Sequence, residues 1–148
     1  MQGVPVLKVF LGIGIAWVYS HLLEYFAHKF LHKFNKKHQP LAFHMRSHHV
    51  KAKRNYMKDR PSLREALSLF ILVALHAPIY IVSPLAFITL ICCSANYLYV
   101  HNRSHYDLNW GCDNVPWHVD HHIGNQQANW GVRSDWVDRL LGTKDSRK

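Results

Sequence analysis

Cysteine is scarce in this sequence, and positive charge is almost absent from its longest apolar stretches. Three cysteines, two of them adjacent at Cys92 and Cys93 within an apolar segment, are too few for a disulfide framework. Of the 18 lysines and arginines only Lys8 precedes position 29, and none lies between Arg64 and Arg103. The net charge of +9 therefore does not predict a nucleic-acid-binding module, because apolar blocks separate the cations.

Several sequence patterns are absent as well. The apolar N-terminal segment lacks a basic leading region and a small-residue cleavage site, which disfavours a cleavable signal peptide. No glutamate stands three positions before a histidine, so the Glu-x-x-His ligands of soluble di-iron bundles are not available. Repeats, low-complexity runs and flexible linkers are also missing, and 148 residues suit one domain.

Three apolar segments are present, and they predict an all-α membrane protein. Residues 4–26 are about as long as the ~20 residues that cross a ~30 Å hydrocarbon core. Residues 66–82 and 84–100 are at the short limit, and they predict a helical hairpin that barely crosses the bilayer or re-enters it. The alternative is three buried core helices of a soluble protein, which would agree with the overall mean hydropathy of −0.15.

The cations predict how these spans are oriented. Residues 29–64 contain eleven lysines and arginines, and residues 103–148 contain six. The positive-inside rule therefore places residues 27–65 and 101–148 in the cytoplasm, with three crossings between an outer N-terminus and an inner C-terminus.

Histidine is abundant, and ten of the 13 histidines fall into four groups. These are His28 with His32, His44 with His48 and His49, His101 with His105, and His118 with His121 and His122. Residues four apart on a helix share a face, so such a pair can bind one metal ion or two neighbouring ions. Adjacent helical residues point about 100° apart, so the two doublets suit two different ions. Ten neutral imidazoles exceed one closed tetrahedral site and match two ions with about five nitrogens each.

The other three histidines, His21, His38 and His76, are isolated, and we expect them to make hydrogen bonds or interfacial contacts, His76 within the hairpin. The spans and the histidine groups together predict the fold class. It is an all-α integral-membrane bundle of about three membrane helices, with a histidine-rich di-metal cap and an active site on the cytoplasmic face.

With these histidine groups the sequence resembles the fatty acid hydroxylase/sterol desaturase superfamily of integral-membrane di-iron oxygenases. The family's boxes are commonly written HxxxH, HxxHH and HxxHH, with an additional histidine pair on the last membrane helix. Residues 28–32 match the first box, residues 118–122 match the last, and residues 101–105 match the additional pair. Residues 44–49 depart by one extra residue between the first histidine and the doublet. Residues 129–143 resemble the family's ending, an Asn-aromatic-Gly turn followed by Asp-Arg-Leu-x-Gly-Thr.

The resemblance implies a minimal member of this superfamily, a single membrane domain over residues 1–148 that binds two iron ions, or zinc in a purified sample, on the ten grouped histidines. It implies hydroxylation of a lipid or fatty acyl C–H bond with dioxygen, and desaturation of such a lipid is the alternative reaction. The His-Pro-Gly-Gly motif of a fused cytochrome b5 domain is absent. We therefore expect no built-in haem and a separate electron donor of the cytochrome b5 or ferredoxin type. A homodimer that completes the hydrophobic enclosure is a further hypothesis.

Further candidate residues surround the histidine groups. Four aromatic side chains are predicted either to bind substrate or to form an interfacial belt, namely Tyr106, Trp110, Trp117 and Trp130. Three carboxylates are candidate acceptors that orient ligand rings, namely Asp107, Asp113 and Asp120. Two other function classes stay open, a membrane b-type haem protein and a metal carrier. The histidine doublets disfavour the first, and the second would need more ligands deep in the spans than His76.

Overall fold

The computed structural model describes residues 6–145, and all regular secondary structure in that range is helical. In chain order the elements are α1 (Val6–Leu31), a π-helical segment (His44–His49), α2 (Val50–Arg54), α3 (Leu63–Leu75), α4 (Ile79–Val82), α5 (Pro84–Tyr106), α6 (Leu108–Asn114), α7 (Pro116–Ile123) and α8 (Trp136–Leu140). The predicted all-α class is therefore confirmed for residues 6–145. Residues 4 and 5 of the first predicted span, and residues 146–148 of the predicted cytoplasmic tail, lie outside the described residues.

The long helices α1 and α5 pack against each other, each through one stripe of its surface. Along α1 the buried residues are Ala16, Ser20, His21, Glu24, Tyr25 and His28. Along α5 they are Ala86, Leu90, Cys93, His101, Ser104 and His105. The spacing of about three to four positions puts each set on one helical face. The polar members of both stripes lie towards the C-terminal ends, so the two helices carry their histidines to the same end of the pair.

Within the described residues, α1 and α5 are the two helices that are long and apolar enough to cross a membrane. In the most apolar 18-residue stretch of each helix, only 17% of the residues are buried. Large apolar side chains such as Phe10, Leu11 and Ile88 are exposed. A core helix of a soluble protein buries most of its apolar surface, so this exposure disfavours the soluble alternative.

The prediction of a third span over residues 66–82 is not confirmed. This stretch forms α3 and the short α4, with a turn at residues 76–78 between them, and neither helix reaches membrane-spanning length. Pro78 lacks a backbone N–H and disfavours helical conformation in the residue before it, so the apolar run is divided. The hairpin itself is present, because α3 and α4 both contact α5. The Ser83 hydroxyl caps α5 by accepting from the Ala86 N–H at 3.4 Å.

The shorter elements cover the histidine-bearing end of the α1–α5 pair. The C-terminal segment returns to α1, where Tyr25, Trp130 and Val137 form a buried cluster with Leu22 and Trp136 at its edge. This packing places the last part of the chain beside the C-terminal half of α1, and it is the scaffold on which the histidines are oriented.

Candidate metal centre

The ten grouped histidines are all buried, and they form two adjacent clusters. The first cluster consists of His28, His32, His44, His49 and His121. The second cluster consists of His48, His101, His105, His118 and His122. In each cluster the ligand atoms of four histidines lie within 4.8 Å of one another. The fifth ring of each cluster lies beside one of these four. His44 Nε2 is 3.2 Å from His49 Nε2, and His118 Nε2 is 3.4 Å from His105 Nε2.

The extra residue between His44 and the following doublet is accommodated by the π-helical segment. A π-helix closes i→i+5 rather than i→i+4 turns, so residues five apart lie one above the other. His44 and His49 therefore meet with their Nε2 atoms 3.2 Å apart, although an α-helical turn would separate them. The departure from the HxxHH spacing thus keeps His44 within the first cluster.

Each histidine doublet is divided between the two clusters. His49 and His121 belong to the first cluster, whereas their neighbours His48 and His122 belong to the second. The His49 and His122 rings stack with centroids 4.2 Å apart, where the clusters meet. The π-helical segment and α7 therefore contribute to both clusters, as the 100° angle between adjacent helical residues predicts.

Hydrogen bonds from outside the clusters fix the orientation of four rings. The Nδ1 atoms donate to carbonyl or carboxylate oxygens: His28 to Trp130 O (2.7 Å), His121 to Ala128 O (2.6 Å), His105 to Met57 O (2.6 Å) and His48 to Asp59 Oδ2 (3.1 Å). Carbonyl oxygens only accept, so Nδ1 carries the proton in the three rings that donate to a carbonyl, and Nε2 keeps its lone pair. In a neutral ring this leaves Nε2 free to bind a cation.

Left-handed backbone conformations turn these carbonyl groups towards the rings. Met57 has φ 71°, and its carbonyl accepts from His105. Asn129 has φ 58° and lies between Ala128 and Trp130, whose carbonyls accept from His121 and His28. Non-glycine residues adopt this region at a cost of about 1–3 kcal/mol, asparagine most readily. The Asn129 side chain offsets part of that cost, because its Oδ1 accepts from the Asp145 N–H at 2.9 Å.

Burial favours the neutral form of five rings outside the long helices. Desolvation and, to a smaller extent, neighbouring imidazoles lower the pKa of His32 to about 3. The same two causes hold the pKa values of His44, His118, His121 and His122 well below the usual value for histidine. Neutral imidazole is the form that binds a metal ion, so these five rings are in the ligating state at neutral pH.

The spacing of the nitrogens fits metal coordination. The Nε2 atom of His32 lies 3.0 Å from His49 Nε2 and 3.2 Å from His121 Nε2. The Nε2 atoms of His48 and His101 are 3.2 Å apart. With metal–nitrogen bonds of ~2.0–2.1 Å, two ligands of one ion lie about 2.9 Å apart at a right angle and about 3.4 Å apart at a tetrahedral angle. The Nε2 atom of His28 is buried without a hydrogen-bond partner among the described residues. An all-imidazole donor set of this kind suits iron, zinc, copper or nickel.

Two carboxylates outside the predicted set, Asp59 and Glu65, lie beside the histidines. Asp59 accepts from His48 Nδ1, and Glu65 Oε1 lies 3.6 Å from the same atom and 3.8 Å from His44 Nδ1. Burial alone would raise the pKa of Asp59, but hydrogen bonds from His48 and the Arg60 backbone outweigh it and lower the pKa. Burial raises the pKa of Glu65. One signal was available in the sequence, because these are the only acidic residues between Glu24 and Asp107.

The predicted acceptors lie elsewhere. Asp107 caps α6 by accepting from the Trp110 N–H at 3.1 Å, and Asp113 and Asp120 are exposed. The acceptors that orient the four rings described above are instead three backbone carbonyls and Asp59. Such carbonyls come from turns whose conformation depends on tertiary contacts, so the local pattern of carboxylates did not identify them.

We expect the Asp59→Ala substitution to weaken binding of Zn²⁺ or Fe²⁺ by about 10–100-fold, because partners that orient a ligand ring contribute this much to metal affinity. Competition with a chelator of known affinity measures the change in the purified protein. Asp113→Ala is the matched control, since it removes an exposed aspartate. Equal metal affinity in the two variants would contradict an orienting role for Asp59.

Two buried carboxylates fix the C-terminal segment: Asp138 ties residues 130–131 to α8, and Glu24 ties the segment to α1. Asp138 accepts from the backbone N–H groups of Trp130 (2.9 Å) and Gly131 (2.7 Å). Glu24 accepts from the backbone N–H groups of Val132 (2.6 Å) and Arg133 (2.9 Å), and it also pairs with the Arg133 side chain. A side chain at Gly131 would collide with the Ser134 carbonyl oxygen, so glycine is required there. These contacts fix the backbone that presents the Trp130 carbonyl to His28.

Of the four aromatic candidates, only Trp130 packs on the clusters. Its buried ring lies 4.7 Å from the His32 ring and 5.3 Å from the His121 ring. Tyr106 is 87% exposed, Trp110 stacks under Arg103, and the Trp117 indole donates to the Val132 carbonyl at 3.1 Å. The isolated histidines lie outside both clusters: His21 packs between Trp17 and Trp136, His38 is exposed, and His76 contacts Tyr19.

A mainly apolar cavity of about 430 Å³ adjoins the first cluster. It lies between α1, α3 and α5, and His28, His44 and Glu65 form part of its wall. Its lining residues recur three or four positions apart, such as Leu23, Ala27 and Leu31 on α1 and Leu90, Ser94 and Tyr97 on α5. None of the four aromatic candidates lines it. The hydropathy of these stretches predicts membrane spans but does not predict a cavity between them, although the spacing is visible in the sequence.

The comparisons with known proteins agree with the resemblance seen in the sequence. The family model described as Fatty acid hydroxylase matches residues 13–143, which include both histidine clusters and the C-terminal segment. No curated protein and no solved structure matches the chain.

Proposed function

The chain belongs to the fatty acid hydroxylase family, and on this premise we propose that it is a membrane-bound di-iron oxygenase that hydroxylates a C–H bond of a lipid or fatty acyl chain. Membership indicates an oxidoreductase of the fatty acid hydroxylase type, and the family together with two apolar helices indicates a membrane protein. The use of dioxygen, the two iron ions and the hydroxylation itself are the proposed part.

The main support for the proposal is that the first histidine cluster forms part of the cavity wall. Two groups of buried imidazoles lie side by side, and an apolar cavity has His28 and His44 in its wall. A hydrocarbon chain in the cavity would therefore lie against the first cluster. A site that served only to store metal would not need an apolar cavity of this kind beside its ligands.

Two iron ions held by the ten clustered histidines would supply the oxidation of an unactivated C–H bond by dioxygen. The chain's own residues bury the imidazoles, and they fix the orientation of three rings through Nδ1 hydrogen bonds. Trp130 covers the first cluster on one side and excludes water there. The apolar helix faces bind the substrate by removing its hydrocarbon surface from the aqueous phase.

We propose that the site lies at the cytoplasmic face, because the segments around the histidines carry most of the cations. Electrons would come from a separate donor protein of the cytochrome b5 or ferredoxin type. A homodimer that shields the apolar faces of α1 and α5 remains part of the proposal, and nucleic acid is not a proposed partner.

Desaturation is the second reaction that this family suggests, and it would use the same cavity and clusters. A b-type haem is less compatible with the geometry. Axial haem ligands lie on opposite sides of a porphyrin plane, whereas the Nε2 atoms of paired rings here approach to 3.0–3.4 Å. Absence of a Soret band in the purified protein tests that alternative.

The proposal predicts about two iron ions per chain in protein purified from iron-supplied cells. Lipid mass spectrometry of expressing and non-expressing cells would identify the product. Gain of one oxygen atom supports hydroxylation, and loss of two hydrogen atoms supports desaturation. Bound metal with unchanged lipids, in cells supplied with a range of fatty acids and a reductase system, would contradict the oxygenase proposal and favour a metal-binding protein.

A further inference from the structure

Between α1 and α5, packed side chains close the cavity at the end away from the histidine clusters. Ala16, Ala86 and Leu90 form a packed cluster there, with Ile79 against it. Leu90 is also a lining residue, so the packed cluster adjoins the cavity. Small side chains at two of these positions let α1 and α5 approach closely.

A hydrogen bond lies on the α3 side of the same end. His76 Nδ1 donates to the Leu72 carbonyl at 2.7 Å, so its Nε2 accepts from the Tyr19 hydroxyl at 2.8 Å. His76 lines the cavity, and the bond joins α1 to the turn after α3. Helix α3 has no buried residue, so this bond is one of the contacts that hold the α3 end against α1.

The length of the cavity follows from the helices that line it. On α1 the lining extends from Ser20 to Leu31, and on α3 and the residue after it the lining extends from Glu65 to His76, eleven positions in each case. With a rise of 1.5 Å per residue, both distances are about 17 Å. Both are close to half of a ~30 Å hydrocarbon core, which is the depth of one lipid leaflet. A single extended acyl chain fits such a space.

We propose that the Tyr19–His76 hydrogen bond and Leu90 form a stop that fixes the length of the acyl chain between the closed end of the cavity and the first cluster. This inference rests on the proposed function, because it assumes that the cavity holds the substrate. The substrate class is then an unbranched acyl chain, whose terminal methyl group contacts His76 and Leu90. Tyr19, His76 and Leu90 are specificity-determining residues, since none of them touches the reacting carbon.

If the Tyr19–His76 bond had only a structural role, breaking it would lower thermal stability but leave the preferred chain length unchanged. Changes in chain-length preference, rather than in overall yield, therefore distinguish the two roles.

The test uses the full-length protein in detergent and two variants with opposite expected effects. His76→Ala removes the imidazole at the closed end, and Ser94→Leu adds bulk one helical turn nearer the clusters than Leu90. Tyr80→Phe is the control, because Tyr80 is exposed and does not line the cavity. The probe is a series of saturated fatty acids of increasing length, and the readout is the shift in Tm that each produces. The lengths of oxidised chains in expressing cells give a second readout.

We expect the largest Tm shift at one chain length in the wild type and in Tyr80→Phe. The optimum should move to chains a few carbons longer in His76→Ala, and to shorter chains, by about 6 Å of length, in Ser94→Leu. An unchanged optimum in both variants would overturn the stop while leaving the oxygenase proposal intact if oxidised lipid is still formed. If Ser94→Leu alone is stable enough to measure, its optimum decides the question. Tm shifts that follow the stop, without any oxidised product, would support the cavity assignment and contradict the oxygenase proposal.

Discussion

Replacing His121 with alanine is expected to abolish lipid oxidation and to lower the bound iron of the purified protein from about two ions per chain towards one. The His121 Nε2 atom lies 3.2 Å from His32 Nε2, and the Nδ1 atom of His121 donates a hydrogen bond to the Ala128 carbonyl. The ring is fully buried, so neither water nor another side chain can readily replace it as a ligand. Elemental analysis and lipid mass spectrometry of the same preparation measure both effects.

The neighbouring residue provides a matched variant for this prediction. His122→Ala removes a ring from the second cluster only, so it should also lower iron towards one ion, and the double variant should lose nearly all of it. His38→Ala removes an exposed histidine outside both clusters and should leave iron and activity unchanged. Full iron content in His121→Ala would refute its assignment as a ligand.

The Glu24→Ala substitution is expected to destabilise the protein by about 3–5 kcal/mol, which is the usual cost of leaving a buried charge without its partner. The Arg133 side chain is only 5% exposed, and Glu24 is its carboxylate partner. Two backbone N–H groups, of Val132 and Arg133, would lose their acceptor as well. The midpoint of thermal unfolding in detergent, with intact membrane insertion as a check, measures the loss.

A conservative change separates packing from charge at this position. Glu24→Gln keeps an oxygen that can accept from the Val132 N–H, so we expect a smaller loss of stability than in Glu24→Ala. Iron content should fall in parallel with stability, because the segment that Glu24 anchors carries the Trp130 carbonyl bound by His28. An unfolding midpoint equal to that of the wild type in Glu24→Ala would show that the ion pair does not hold this segment.

The positions of the histidines could be predicted from the sequence because their signal is local. Spacings of three and four residues depend only on helical geometry, and the division of each doublet follows from the angle between adjacent residues. The π-helical segment was not predicted, because its wider turn depends on contacts that draw His44 and His49 together. In the sequence, the extra residue between His44 and the His48–His49 doublet was the sign of this π-helical segment.

Other parts of the site depend on tertiary structure and could not be predicted in the same way. The Met57 carbonyl reaches His105 only through a left-handed turn, and Asp59 reaches His48 across a loop. The third predicted span was based on hydropathy alone, and Pro78 divides it. The charge pattern that predicts a cytoplasmic site remains a prediction.

The division of the ligands among segments couples metal loading to the assembly of the fold. His32 and His121 are 89 positions apart, and His48 and His101 are 53 apart. An ion bound by either pair acts as a cross-link that closes a long loop, which removes conformational freedom from the unfolded chain. The two ions would therefore stabilise the fold as well as support the reaction, so iron starvation would reduce the amount of folded protein and not only its activity.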